Sequence, residues 1–377
     1  MWPHLATPDR RDSLKRFITS CMILTLFSVS VFTPSSTSAC TGITIKPKDG
    51  SVVFGRTLEF AENLQSNIIV IPRNRPNSGT APGQKQGLQW NSQYAMVGMN
   101  AFNLPIIADG MNERGLHVGI FYFPDYAKYQ AVSDQEVSKT ISPMEVPLYL
   151  LGTCATVDEV TKRIQQIKVG NVVMQQMGGV PPFHYIASDA SGKSVVLEYV
   201  DGKLNIHQNP LGVFTNSPTF DWHMTNLGNY VNLLTNNISE IKVQGQTIKG
   251  LGQGSGMLGL PGDFTPPSRF VRAVAFSASV FPVDTAREGV LQVFHVLNQF
   301  DIPKGAARGD ENGKTTADYT EWTSVSDLKN RRYYFRTYDD STIRMVNLNS
   351  LNLDGNQIQT ISIQGEEQII DVTGCAR

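Results

Sequence analysis

The sequence lacks the composition and the motifs of several large protein classes. Neither sign of charge is in excess, since 32 lysines and arginines stand against 33 aspartates and glutamates. The charge balance therefore predicts no binding to nucleic acid or to an anionic membrane. Cysteine is scarce, with 4 in 377 residues and no CxxC pair, and the 6 histidines are scattered without metal-ligand spacing. We therefore expect no metal site.

Long apolar runs are also missing, with one exception near the start of the chain. Residues 10–16 are rich in arginine and lysine, residues 17–32 are mostly apolar, and a polar stretch of small residues ends at Ala39. An apolar run of about 16 residues is short for a membrane-spanning helix. Thr37 and Ala39 lie three residues and one residue before Cys40, close to the pattern that signal peptidase accepts. We expect residues 1–39 to be a signal peptide, so that the remaining chain is exported, to the periplasm or the cell exterior, without a stable membrane anchor.

Two alternatives to cleavage before Cys40 stay open. An uncleaved apolar run would anchor the protein in the membrane. A lipoprotein signal would also end at Cys40, but the leucine usual three residues earlier is replaced by Thr37. Lipidation would block the amino group of Cys40.

Cleavage would leave three cysteines, Cys40, Cys154 and Cys375. An odd number leaves at least one free thiol in an exported protein. Cys154 lies in an apolar stretch with a helical pattern, which favours a buried free thiol. A disulfide between Cys154 and Cys375 stays open as an alternative.

The chain after the signal alternates between β-rich and helical sections, without a linker or an internal repeat. This order predicts one α+β domain over residues 40–377. The alternation around Asp49-Gly50 predicts a hairpin, and Asp109-Gly110 is interpreted as a tight turn. Residues 221–234 are expected to form a helix. The glycine-rich residues 250–262 are expected to form a structured loop, because no strand precedes them and no Gly-Lys-Ser/Thr follows.

Cleavage before Cys40 would give one residue two chemical functions. Its thiol is a nucleophile, and its free α-amino group can accept the thiol proton. The two groups match, since an α-amine has a pKa of about 7.7–8.0 and a thiol one of about 8.5. The strand that returns from the predicted hairpin carries Arg56, a cation that would favour the thiolate. Taken alone, Arg56 would be interpreted as part of an ordinary ion pair.

Several short segments between residues 40 and 270 together form a recognisable pattern. They are Cys40-Thr41-Gly42, Lys48-Asp49-Gly50, Phe54-Gly55-Arg56-Thr57-Leu58-Glu59, Pro72-Arg73-Asn74, and residues 108–116 (ADGMNERGL), 215–223 (TNSPTFDWH) and 258–270 (LGLPGDFTPPSRF). In this order they resemble the choloylglycine hydrolases, which include bile salt hydrolases and penicillin V acylases and cleave linear amide C–N bonds with an N-terminal nucleophile. The resemblance implies a four-layer αββα sandwich and no cofactor.

The resemblance implies roles at the nucleophile for three residues. Cys40 would be the nucleophile, with its α-amine as base, and Arg56 matches the arginine close to the thiol. Glu59 stands where many members carry an aspartate that hydrogen-bonds the terminal amine. Its extra methylene keeps the charge and changes the reach of the carboxylate.

The resemblance implies roles at the oxyanion for three more residues. Asn216 matches the side-chain amide that donates into the oxyanion hole, a contribution of about 10²–10³ in rate. The backbone N–H of Tyr122 would be the other donor, and Arg269 matches a second arginine of the network. Taken alone, Asn216 would be interpreted as a turn residue and Arg269 as a charge on a helix face.

Apolar residues that flank these segments are expected to line a pocket for the acyl group of a small-molecule amide. Each of them is equally well interpreted as a core residue. These residues are Leu58, Phe60, Phe102 and Leu104.

The substrate prediction depends on two features. The long segment at residues 226–262 corresponds to one that helps bile salt hydrolases form homotetramers, which favours conjugated bile salts as substrates and a homotetramer. Tyr122 favours a penicillin V acylase, because bile salt hydrolases usually have asparagine there. Acyl-homoserine lactones would also present an apolar acyl group on an amide. An inactive exported binding protein with the same fold is the alternative from a different class.

Overall fold

Strands make up most of the regular structure in the part of the chain that is described. The computed structural model describes residues 39–311 and 313–375, and the predicted signal peptide lies outside the described residues apart from Ala39. The α-helices are α1 (Val146–Thr153), α2 (Val157–Ile164), α3 (Phe220–Asn226), α4 (Pro266–Ser279) and α5 (Ala286–Leu297). The strands are β1 (Cys40–Ile45), β2 (Val53–Phe60), β3 (Asn67–Ile71), β4 (Pro76–Ala81), β5 (Lys85–Asn91), β6 (Met96–Met99), β7 (Asp109–Asn112), β8 (Leu116–Tyr122), β9 (Thr140–Ile141), β10 (Lys168–Val169), β11 (Phe183–Asp189), β12 (Ser194–Val200), β13 (Lys203–Gln208), β14 (Ile241–Val243), β15 (Gln246–Ile248), β16 (Ala307–Glu311), β17 (Lys314–Asp327), β18 (Arg332–Thr337), β19 (Arg344–Asn347) and β20 (Gln359–Ser362).

The first hairpin forms where the alternation and the Asp49-Gly50 turn predict it. The carboxylate of Asp49 accepts a hydrogen bond from the Ser51 N–H at 2.8 Å. Gly50 has a φ of 75°, which glycine adopts without a steric penalty. In the antiparallel register of β1 and β2, Cys40 lies opposite Leu58. The hairpin therefore places the start of β1 beside the end of β2.

Two large antiparallel sheets form the centre of the fold. The six-stranded sheet has the order β1-β2-β17-β18-β19, with β16 paired to β17. The eight-stranded sheet has the order β13-β12-β11-β8-β7-β6-β3-β20. β2 pairs with β1 on one side and with β17 on the other. Nearly all of its side chains are buried, because this central strand is covered on its two faces by other layers of the fold.

The helices cover the outer faces of the two sheets and complete four layers. α4 and α5 pack on β1, β2 and β17, whereas α1 and α2 pack on strands β7, β8, β11 and β12. Neighbouring residues of β3 enter different cores: Ile68 and Val70 join the one shared with the six-stranded sheet, and Ile69 and Ile71 the one shared with α1 and α2. This alternation follows from the two-residue period of a strand. The predicted α+β class and αββα sandwich are confirmed.

The interpretation of Asp109-Gly110 as a tight turn is wrong, because both residues belong to β7. The Asp109 carboxylate is buried and accepts hydrogen bonds from Ser324, Tyr333 and His117, each at 2.8 Å. A polar residue can occupy a buried strand when its acceptors are satisfied in this way. Gly110 is required by close packing, since a Cβ there would lie 2.5 Å from the Val97 carbonyl oxygen.

The helix predicted at residues 221–234 is shorter in the structure. α3 ends at Asn226, and a 3-10 turn at Leu227–Tyr230 follows it. Val231 beyond it is 82% exposed, so no packed apolar face extends the helix. The glycine-rich residues 250–262 form the predicted loop, with one short 3-10 turn at Ser255–Met257.

The two cysteines far from the start of the chain are both free. Cys154 is buried and Cys375 is exposed, which contradicts the alternative of a disulfide between them. Cys154 follows α1 directly, in the core beneath α2, so its thiol behaves as a small apolar group.

Candidate active site

Cys40 lies at the start of β1 and is 2% exposed. Its backbone nitrogen donates a hydrogen bond to Asn216 Oδ1 at 2.7 Å. Its carbonyl oxygen accepts one from the guanidinium of Arg269, which also donates to Thr41 Oγ1 at 2.8 Å. Both ends of the residue are therefore fixed by side chains from distant parts of the chain.

The thiol of Cys40 is under opposing electrostatic influences. Burial has the largest effect and raises its pKa. The cations Arg56 and Arg269 and the backbone N–H of Glu59 lower the pKa, while the carboxylate of Glu59 raises it. The two arginines thus offset part of the cost of forming a thiolate in a buried site.

Arg56 is fully buried beside two aromatic rings. Its guanidinium carbon lies 4.1 Å from the ring centroid of Phe121 and 5.4 Å from that of Trp322. The same group donates hydrogen bonds to the carbonyl oxygens of Thr57 and Ile120. These contacts hold a cation next to the thiol.

Glu59, near the end of β2, is also buried, and its backbone N–H donates to the carbonyl oxygen of Ala39 next to Cys40. Burial raises the pKa of its carboxyl group to about 7, against the lowering influence of Arg269 and of hydrogen bonds from Thr57 and Thr320. Thr320 Oγ1 donates to Glu59 Oε1 at 2.9 Å. The predicted hydrogen bond from a terminal amine to this carboxylate stays a prediction, since the nitrogen of Cys40 donates to Asn216 in this structure.

The side chain of Asn216 is held at both of its polar atoms. Oδ1 accepts hydrogen bonds from the Cys40 nitrogen and from Arg269 Nη2, each at 2.7 Å. Nδ2 donates to the Tyr122 carbonyl oxygen at 2.8 Å. An amide nitrogen carries two hydrogens, so Nδ2 has a second hydrogen besides the one that it donates to Tyr122.

Tyr122 is the last residue of β8 and is half-buried. In a strand, successive N–H groups point to opposite sides. The Phe123 N–H donates to Pro182, and the Ile120 N–H donates to Ala108 on the other side. The N–H of Tyr122 therefore points to the side of Ala108.

A cavity opens beside Cys40, and its empty volume is about 540 Å³ when the space open to solvent at its mouth is included. Its lining is almost entirely apolar. The lining residues are Cys40, Leu58, Phe60, Leu64, Ala101, Phe102, Ile106, Ala108, Ile120, Tyr122, Met144, Met174, Met177 and Phe183.

The structure brings three of the four predicted pocket residues to this cavity. Leu58, Phe60 and Phe102 line it, and Leu104 does not. Leu104 lies in a loop, where its carbonyl oxygen accepts a hydrogen bond from Asn100. Ile106, two residues further on, takes the place expected for Leu104.

The described residues contain no metal site and no membrane-spanning helix. Nowhere in residues 39–311 and 313–375 do three or more histidine, cysteine or acidic side chains gather to hold a metal ion. Within the same ranges, every helix is too short or too polar to cross a bilayer.

Comparison with known proteins agrees with this geometry. The family model of linear amide C–N hydrolases, choloylglycine hydrolase family, matches residues 40–361. The chain is 36% identical over 323 residues to a bile salt hydrolase/transferase of Clostridium perfringens, covering 85% of this chain and 96% of that protein. It is 28% identical over 319 residues to a penicillin V acylase of Pectobacterium atrosepticum, covering 80% of this chain and 78% of that one.

A solved structure extends the likeness to the fold. The crystal structure of a variant of the conjugated bile acid hydrolase from Clostridium perfringens superimposes with a TM-score of 0.78 and 34% identity, covering 89% of this chain and all of that one. The range that the family model matches contains Cys40, Arg56, Asn216 and Arg269. The chain therefore belongs to the choloylglycine hydrolase family and is an amidohydrolase that acts on linear amides.

Proposed function

We propose that residues 40–377 hydrolyse conjugated bile salts, with the thiol of Cys40 as the nucleophile. One observation carries the proposal: Cys40 is buried between Arg56, Arg269 and Asn216, and opens onto an apolar cavity. An amide with an apolar acyl group can place that group in the cavity and its carbonyl carbon at the thiol.

In the proposed site, cleavage before Cys40 converts a peptide nitrogen into an amine. A peptide nitrogen has no basic lone pair, whereas an α-amine at this position can accept the thiol proton. Asn216 Oδ1 already accepts a hydrogen bond from this nitrogen, and the same contact would orient the amine. Glu59 would then balance its charge in the protonated state.

The proposed reaction is acyl transfer to water. The thiol proton passes to the α-amine and the sulfur bonds to the amide carbonyl carbon. The oxyanion is bound by Asn216 Nδ2 and the Tyr122 N–H. The C–N bond then breaks as the protonated α-amine gives its proton to the leaving nitrogen. Water attacks the thioester with the amine as base, which releases the acid and restores the thiol of Cys40.

Bile salts are proposed first because of the relatives and of the segment after α3. The bile salt hydrolase/transferase of Clostridium perfringens is 36% identical to this chain. Residues 231–262 project exposed apolar side chains, among them Leu251 at 98% and Leu258 at 83% exposed. Apolar side chains so exposed are typical of an interface, which supports a homotetramer.

Penicillin V is the second candidate substrate. Tyr122 lines the cavity and makes an edge-to-face contact with Phe60, with 6.4 Å between ring centroids. An apolar cavity with an aromatic wall suits a flat phenoxyacetyl group. The similarity to a penicillin V acylase supports this candidate.

We also propose that residues 1–39 are removed during export. The support is the sequence pattern before Cys40, together with a site that gains its base only by that cut. The mature enzyme would act in the periplasm or outside the cell.

The proposal is tested with purified protein that begins at Cys40. Taurocholate, glycocholate, penicillin V and an acyl-homoserine lactone are supplied separately, and release of the amine is measured. We expect the highest kcat/KM for a conjugated bile salt. A higher value for penicillin V would replace the first candidate by the second, and no release from any of the four would overturn the proposed function.

A further inference from the structure

His223 is a buried histidine for which the proposed reaction has no use. It lies in α3 and is 1% exposed. Its ring stacks on Phe270, the residue after Arg269, with 4.7 Å between ring centroids and 14° between ring planes. The histidine therefore lies directly behind the site that contains Cys40.

The polar contact of His223 is with the main chain of Asn216. Its Nε2 lies 2.9 Å from the Asn216 carbonyl oxygen. A carbonyl oxygen only accepts hydrogen bonds, so Nε2 must carry the hydrogen. Burial lowers the pKa of His223 to about 4, against the raising influence of this hydrogen bond. At neutral pH the ring is therefore a neutral donor with its hydrogen on Nε2.

The element that carries His223 is itself fixed. Glu198 is buried and accepts a hydrogen bond from the Phe220 N–H at the start of α3, at 3.0 Å. Ser217, next to Asn216, donates to the Pro124 carbonyl oxygen at 2.8 Å. His223 thus connects a fixed helix to the segment that carries Asn216.

We propose that His223 is a positioning residue for the hydrolysis of the linear amide: its Nε2–H fixes the Asn216 carbonyl and so aims the Asn216 side chain at the reacting carbonyl. The inference rests on the proposed role of Asn216 as an oxyanion donor. Oxyanion donors act through a placement set before the reaction, and a displacement of about 1 Å can cost about 10²-fold in rate.

Two substitutions separate the donor from the packing. His223→Phe keeps an aromatic ring against Phe270 and removes the donor, whereas His223→Gln keeps an N–H donor. We expect His223→Phe to lower kcat on the order of 10- to 100-fold, with a KM change below about twofold. His223→Gln should retain more of kcat than His223→Phe.

His295 provides the control. It is a histidine on an exposed position of α5, away from the helix that carries His223. His295→Gln should therefore keep kcat near that of the unsubstituted enzyme. Equal kcat in His223→Phe and the unsubstituted enzyme, or no advantage of His223→Gln over His223→Phe, would overturn the inference.

A measurement on the unsubstituted enzyme keeps the test decisive if a variant does not fold. The ¹⁵N shifts of His223 should show the hydrogen on Nε2 between pH 5 and 8. A hydrogen on Nδ1 in that range would overturn the inference. Asn216→Ala distinguishes the role of His223 from the role of Asn216. Full activity in Asn216→Ala would overturn the role of Asn216 as an oxyanion donor. A low kcat in Asn216→Ala together with an unchanged kcat in His223→Phe would overturn only the role of His223.

Discussion

The carbonyl oxygen of Ala39 accepts a hydrogen bond from the backbone N–H of Glu59 at 2.9 Å. Ala39 is 7% exposed and Cys40 2%, so the peptide bond between them is buried in the folded chain. Under the proposed export, the bond that signal peptidase would cut is therefore held by the strand that carries Glu59. Cutting this bond requires local opening.

This burial predicts that cleavage precedes folding. The folded full-length chain should resist signal peptidase in detergent micelles, and intact mass spectrometry measures the cleaved fraction. A control chain carries Gly-Ser-Gly-Ser between Ala39 and Cys40, which frees the cleavage site, and it should be cut when folded. Equal cleavage of both chains, or spontaneous cleavage of the folded full-length chain, would contradict this prediction.

The nucleophile is tested by substitution at Cys40. Cys40→Ala in protein that begins at residue 40 should abolish hydrolysis, because no other thiol lies at the cavity among the described residues. The melting temperature should change little, since alanine leaves β1 and its pairing with β2 intact. Cys154→Ala is the control, at a buried thiol outside the cavity, and it should keep its activity. Persistent turnover in Cys40→Ala would refute the mechanism.

The fold was largely predictable, and the reasons are visible in single elements. The first hairpin follows from alternation and the Asp49-Gly50 turn. α2 begins at Val157, directly after the N-cap residue Thr156, whose side chain accepts a hydrogen bond from the Glu159 N–H. By contrast, β7 looked like a turn because its polar residue is satisfied only by partners from distant strands. β20 was also missed, because it pairs with β3 far away in the sequence.

The site was predicted in part, for a similar reason. The family motifs located Cys40, Arg56, Asn216 and Arg269, and the structure brings all four together. The cavity residues Met144, Met174 and Met177 come from turns and loops, where no periodic pattern indicates which side chains face a site. The matched segment that ends at His223 was a signal for that residue, but its contact with Asn216 depends on how α3 folds back.

The volume of the cavity predicts a specificity change. Ala101 lines the cavity and is buried, so Ala101→Phe adds a ring where the acyl group would lie. The loss in kcat/KM caused by Ala101→Phe should be on the order of tenfold greater for taurocholate than for penicillin V, because the steroid is the larger group. Leu104→Phe is the control, since Leu104 lies in the same loop but outside the lining. An equal effect of the two substitutions would contradict the assignment of the cavity.

The pH dependence of stability should include Glu321. Burial raises the pKa of its carboxyl group to about 8, although the Leu64 N–H and Lys304 lower it. Since the ordinary value is 4.5, the folded state keeps a proton between these pH values that the unfolded state has lost. The contribution of Glu321 to stability should therefore be fully present below pH 4.5. The free energy of unfolding should then fall as pH rises to about 8, by up to about 1.4 kcal/mol per pH unit.

Glu321→Gln removes this ionisation and should flatten the decline between pH 5 and pH 8 by on the order of 1–3 kcal/mol. Urea denaturation at the two pH values measures it. Glu366→Gln, at an exposed position, should leave the decline unchanged. An identical slope in Glu321→Gln and the unsubstituted protein would show that Glu321 does not titrate in this range.

The central claim is that the thiol of Cys40 takes the acyl group of the substrate. Protein that begins at Cys40 is mixed with a conjugated bile salt, quenched in acid within the first turnovers, and digested for mass spectrometry. The account predicts one acyl group per chain on the peptide that begins with Cys40, bound as a thioester that hydroxylamine removes. An acyl group on any other residue, or rapid turnover without a covalent adduct under every quench condition, would contradict it.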